Sequence, residues 1–229
     1  MTVELTLRPL VPQEYIGVWK RTLLRTPKME DTTTQGYWMQ TQSWHADIRV
    51  PASRPAFAGK TRLGQLSCTE LLDLARHQGF CGVTEVEGDI CRRLRRYDFQ
   101  PPSGANDIGR MVFDTPDRVF EYGIEAEYFE IWERVSGSRG ENFALEQSVS
   151  ALSMMLVAGG FFMLVRPRAT TLSIAPNLAA FAADKSLADL QALLDFEISF
   201  GRRGNCSGAW RIELSTLPWQ EGADIPMDA

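Results

Sequence analysis

From Tyr15 onward the chain is a succession of short runs in which apolar and polar residues alternate, each run closed by a Gly, Pro, Asn or Asp turn. Alternation with a period of two is the mark of β-strands, and it leaves little room for anything but an antiparallel β architecture. The runs include Tyr15–Leu24, Thr33–Gln42, Ser43–Val50, Gly82–Asp98 and Gly109–Val135. Turns are expected at Gln42-Ser43, Glu87-Gly88-Asp89 and Thr115-Pro116-Asp117. Only two stretches have helical spacing. Residues 68–78 follow the capping candidates Ser67 and Thr69, with Glu70 in the first turn and Leu71, Leu72 and Ala75 as an apolar stripe. Residues 186–194 start at Ser186 and place Leu187, Leu190 and Leu194 on one face.

A second regularity sits on top of the first. The segment Gly17–Leu24, "GVWKRTLL", shares its core with Glu130–Val135, "EIWERV". Arg49 and Arg166, Leu71 and Leu190, and Phe99 and Trp219 pair off in the same order, with a spacing that grows slowly. The order implies two copies of one β-rich unit of about 110 residues, a common domain size. One unit spans residues 1–125 and a second, divergent one residues 126–229. A long meander avoids sticky edges by closing on itself, so each unit is expected to be a barrel with one short helix.

Composition excludes several classes. A hydrophobic fraction of 44% with 23% charged residues describes a globular chain, and the net charge of −5 disfavours nucleic acid and anionic membranes as partners. "MTVELTLRPLVP" lacks the features of a signal peptide and carries a short alternation at Val3, Leu5 and Leu7. The apolar stretch Ala151–Val165 is too short to span a bilayer, and Gly159-Gly160 divides it into a hairpin. Cys68, Cys81, Cys91 and Cys206 form no C-x-x-C pair, so they read as free thiols of a reducing, cytoplasmic compartment and neither a metal site nor a disulfide framework. There is no P-loop, G-x-G-x-x-G, G-x-S-x-G or H-E-x-x-H. No catalytic residue and no cofactor is assigned.

Gly17-Val18-Trp19 resembles the G-x-W signature of the lipocalins, or calycins, in which the Trp plugs one barrel end and a late Arg packs on it. The phrases "YWMQTQSWHADIRVP", "EGDICRRLRRYDFQPP" and "NDIG" resemble a family of uncharacterised bacterial proteins related to a fungal casein-kinase-interacting protein. That resemblance covers residues 15–135 well and the second half loosely. It implies two lipocalin-like barrels, and it brings no chemistry. Glu130 stands where the second copy would need its Gly.

Candidate binding residues come from the strands themselves. Trp38, Gln40 and Gln42 share one strand face, and His45, Asp47 and Arg49 share one face of the next. Turned inward, Trp38, Gln40, His45, Asp47 and Arg49 line a polar pocket with an aromatic wall, with Tyr97 and Gln100 near its rim. Such a pocket suits a small hydrophobic or amphipathic molecule whose carboxylate pairs with Arg49. Turned outward, the charged residues are solvated and Trp44, Ala46, Ile48 and Val50 form the core. Arg93, Arg95, Tyr97 and Phe99 fall on one face of an arginine-rich strand and are suited to cross-strand salt bridges. Glu121, Glu125, Glu127 and Glu130 read as a solvated face, and His77 as a charge at a helix C-terminus. Two functions lead: a ligand-binding barrel, and a filled barrel that docks a protein partner. A barrel isomerase or dehydratase stands third.

Overall fold

The computed structural model describes residues 10–147, 153–204 and 209–225. The first sheet contains β1 (Gly17–Thr26), β2 (Met29–Asp31), β3 (Gln35–Gln40), β4 (Trp44–Val50), β5 (Gln78–Glu87), β6 (Ile90–Asp98), β7 (Ile108–Thr115), β8 (Arg118–Gly123) and β9 (Phe129–Arg134). Every pairing is antiparallel between neighbours, and β9 returns to pair with β1. Strands β1 and β3–β9 therefore close into an eight-stranded up-and-down barrel, with β2 a short ribbon on the C-terminal end of β1. The expected turns link these strands, and Gly88 takes φ +61°, a conformation that favours glycine. Between β4 and β5 lies α1 (Cys68–Leu74), started by a capping box in which Ser67 and Glu70 satisfy each other's backbone N–H.

The second sheet is an antiparallel meander of β10 (Asn142–Gln147), β11 (Ser153–Ala158), β12 (Phe161–Arg166), β13 (Glu197–Arg202), β14 (Trp210–Ser215) and β15 (Asp224–Ile225). Gly159-Gly160 makes the β11–β12 turn, with Gly159 at φ +54°. The helices α2 (Leu178–Phe181) and α3 (Leu187–Leu194) separate β12 from β13. Among the described residues no pairing joins β10 to β15, so this sheet stays open where a second barrel was expected. The reason is packing. Val18, Met39, Ala46 and Ile48, on the outer wall of the barrel, share one core with Met154, Leu156, Met163, Val165, Ile198 and Phe200. Tyr37 stacks on Phe200 with ring centroids 4.4 Å apart. A sheet that buries its apolar face against a neighbour has no need to close around it.

The two copies of the repeated phrase lie side by side in one barrel, not at the start of each of two units. Trp132 lies on β9, within the first barrel, and Arg21 of β1 pairs with it in register. The tryptophans flank the closure seam of one barrel, and a boundary after residue 125 would cut between β8 and β9. The order hairpin–helix–hairpin does recur, as β3-β4-α1-β5-β6 and β11-β12-α3-β13-β14. No helix among the described residues is long and apolar enough to cross a membrane. The expected strand at residues 3–7 and Cys206 lie outside the described residues.

Cys68 is exposed, whereas Cys81 and Cys91 are buried thiols. Burial pushes the Cys91 thiol up to about 12 and raises Cys81 as well. A thiol reagent followed by peptide mass spectrometry should label Cys68 in the folded protein and reach Cys81 and Cys91 only after denaturation.

Candidate functional site

One end of the barrel is closed by aromatic rings. Trp19, Trp38 and Trp132 are fully buried, and Trp19 stacks on Trp38 with centroids 5.8 Å apart. A 3-10 turn over Gln13–Tyr15 brings Tyr15 edge-on to Trp38, and its carbonyl accepts the Trp19 indole N–H at 2.8 Å. Arg134, from the last barrel strand, lies 4.0 Å above the Trp19 ring. Its guanidinium also donates to the carbonyls of Glu14, Ile16 and Pro116.

Above the rings the interior is charged and closed on itself. Asp47 and Arg49 face inward, and the Arg49 guanidinium is bonded at 2.9 and 3.2 Å to the Asp47 carboxylate and at 3.2 Å to Glu130. Glu130 also takes Arg21 at 2.8 Å, and Arg21 reaches Asp31. Glu121 holds Arg93 at 2.6 and 3.0 Å and accepts from Tyr128 Oη and the Trp132 indole. Arg93 lies over Trp38 and Arg49 over Trp132 and Phe80. Burial alone would lower the Arg49 pKa, but Asp47 and Glu130 more than offset it and hold the group charged. Glu121 and Glu130 are thus not on a solvated face. The signal was available in the parity: Glu121 stands two residues after inward Val119, and Glu130 two before Trp132.

His45 is fixed by a directional chain. The Gln40 amide nitrogen donates to the carbonyls of Thr41 and Trp44, so its oxygen is the acceptor for Trp38 Nε1 and the Thr84 hydroxyl. Thr84 must then accept from His45 Nδ1, at 2.9 Å. The proton sits on Nδ1, and Nε2 is buried without a partner. His77 is similar: Nδ1 meets the Thr216 carbonyl and Nε2 is bare. Burial, with Arg93 beside His45 and Arg54 near His77, pushes both imidazoles down to about 3. His77 is therefore neutral, not a cation serving the helix dipole. Unfolded histidine titrates near 6.5, so the unfolded chain binds the extra protons, and stability is lost as pH falls from there toward 3. Urea unfolding should show a slope of up to ~1.4 kcal/mol per pH unit for each histidine in that window. His45→Gln should remove its share and leave that of His77, and an unchanged slope would mean that His45 is protonated in the fold.

The far side of the barrel is split. β6 pairs with β7 only at Ile90, Cys91 and Arg92. Its pairing with β5 shifts between Cys81 and Gly82, leaving Arg96 as an extra residue. The bulge reverses the alternation. Arg93 and Arg95 face the interior, while half-buried Tyr97 packs against the core shared with the second sheet. Gln100 instead bridges elements, donating to the carbonyls of Ala75 and His77 and accepting from Leu178 N–H. The structure thus brings Trp38, Gln40, His45, Asp47 and Arg49 together and places Tyr97 and Gln100 elsewhere.

At the split lies an open groove of about 1750 Å³, walled by residues 92–98, 100–108 and 167–172. Six arginines line it (Arg76, Arg92, Arg93, Arg95, Arg96 and Arg168) against two acids, Asp98 and Asp107. Arg95 is bonded to both of these acids. Among the described residues Arg76, Arg96 and Arg168 make no ion pair. Arg168 donates to the carbonyls of Asp98 and Phe99, its Nε is buried without a partner, and burial lowers its pKa to about 10. On an acidic chain this is a local excess of positive charge.

No family model matches the chain, and no curated protein matches it in sequence. Among solved structures it is similar to the uncharacterized protein YLR301w from Saccharomyces cerevisiae, with a TM-score of 0.54 and 12% identity over 87% of this chain and 84% of that one. At that identity the similarity speaks for the fold alone.

Proposed function

We propose that this chain is a binding module with a filled barrel, and that it works through the basic groove at the β6–β7 split. The supporting observation is the closed interior: Arg21, Arg49 and Arg93 each already hold carboxylate partners. An inward Asp47–Arg49 pair that satisfies itself and Glu130 needs no ligand to offset its burial. On this reading Trp38, Gln40, His45, Asp47 and Arg49 hold the barrel in shape, and no reaction is assigned to them. We read the barrel as lipocalin-like, on the strength of the 3-10 turn, Gly17-Val18-Trp19 and the Arg134 cap. The recurring hairpin–helix–hairpin order supports descent from a duplicated unit. Kinship with the bacterial family rests on the phrases at 37–51 and 87–102.

A second reading has its own support. The bare Nε2 of His45, in a lining that mixes charge with aromatic rings, suits a small amphipathic ligand inside the barrel. Titration with oleate, read by tryptophan fluorescence, separates the two. A filled barrel leaves the emission unchanged. Saturable one-to-one quenching, lost with a neutral amide of the same chain length, would replace the first reading with the second.

A further inference from the structure

We propose that the groove takes an extended acidic peptide segment of a partner protein, added as a strand to the free edge of β6. The inference deepens the filled-barrel reading and rests on it.

The first support is the backbone. The β6–β7 pairing covers only Ile90–Arg92 of β6 and Ile108–Arg110 of β7, so β6 loses β7 after Arg92. Arg93 N–H still meets the Asp107 carbonyl at 2.9 Å. From Leu94 to Tyr97, among the described residues, no backbone group is bonded on that side. A row of unmet N–H and C=O groups is a template for a further strand. The opposite wall begins at Pro101-Pro102, which have no N–H to offer to that edge.

Charge and size supply the second support. Arg76, Arg96 and Arg168 face the groove without a carboxylate partner among the described residues. The volume of about 1750 Å³ exceeds the ~300–1,000 Å³ typical of small-ligand sites. Leu94 and Arg96 are both exposed on the outer face of β6. An added strand would set its own alternate residues beside them, which selects acidic side chains on one face. An Arg cluster alone would accept any polyanion; the unpaired edge singles out a peptide backbone.

The test uses the full chain and a fluorescein-labelled Glu-Val repeat peptide, followed by anisotropy and by amide hydrogen exchange. Saturable binding with slowed exchange at the Arg95 amide, whose N–H points the same way as that of Arg93, is expected. N-methylation of two central peptide amides, or Arg76→Glu with Arg96→Glu, should each weaken binding about tenfold or more, while Arg25→Glu, on the ribbon side, changes nothing. Equal binding of the N-methylated peptide would overturn strand addition. Tighter binding of oligo-dT without edge protection would make the groove a nucleic-acid site, and full competition by millimolar inorganic phosphate would make it a small-anion site. If the peptide fails while oleate still finds no cavity, this inference falls alone; if oleate fills the barrel, the reading beneath it falls as well.

Discussion

Trp19→Ala should cost about 3–5 kcal/mol of stability, the range for deleting a large, fully buried aromatic side chain. The indole is wholly inaccessible, stacked on Trp38, edge-on to Phe113, bonded to the Tyr15 carbonyl and covered by Arg134. Its loss opens a cavity at the closed end of the barrel and leaves that carbonyl unmet. In a domain of this size the midpoint of thermal unfolding should fall by ~10 °C, since each kcal/mol moves it by ~2–4 °C. Arg134→Ala should do less, because the ring stays packed while the cation–π contact and the carbonyl bonds go. Calorimetry on the two variants checks the order. A Trp19→Ala protein that melts like the parent would remove the plug from the account of the fold.

Glu121→Ala is the second large effect, again about 3–5 kcal/mol, as expected when one partner of a buried ion pair is removed. One carboxylate serves three donors, Arg93, Tyr128 and Trp132, and its side chain is almost wholly buried. Truncation strands a guanidinium among aromatic rings, with Asp107 at 3.6 Å as its remaining carboxylate. The double variant Arg93→Met/Glu121→Leu should recover most of the loss, because it removes both charges and keeps volume. Denaturant unfolding of Arg93→Met, Glu121→Leu and the double forms the cycle. Additive losses would mean that the pair is not coupled and that the network is a set of independent contacts.

Much of the frame was legible. Turn residues located the hairpins, Ser67 and Ser186 marked the starts of α1 and α3, and alternation put Trp38, Gln40, His45, Asp47 and Arg49 on shared faces. Which face was inward could not be read, because β4 is buried on both sides. His45 and Asp47 look into the barrel while Ala46 and Ile48 look into the second sheet, so the usual contrast between a dry and a wet face is missing. Tyr97 was misplaced by one residue of bulge, which has no signature in a run of arginines. The closure seam between β1 and β9 was invisible for another reason: it joins segments far apart in the chain, and a repeated phrase looks the same whether it marks two copies or one seam.

The wall that β1, β3 and β4 share with the second sheet has a consequence for synthesis. A ribosome delivers the N-terminal part first, and the barrel can close once Phe129–Arg134 has emerged. At that moment Val18, Met39, Ala46 and Ile48 form a naked apolar surface, since Met154, Leu156, Ile198 and Phe200 do not yet exist outside the exit tunnel. The nascent chain therefore passes through an interval in which its best-formed part is also its stickiest. Elongation speed across β10–β15 sets how long chaperones must shield that surface, and a chain cut off after the barrel would carry it permanently.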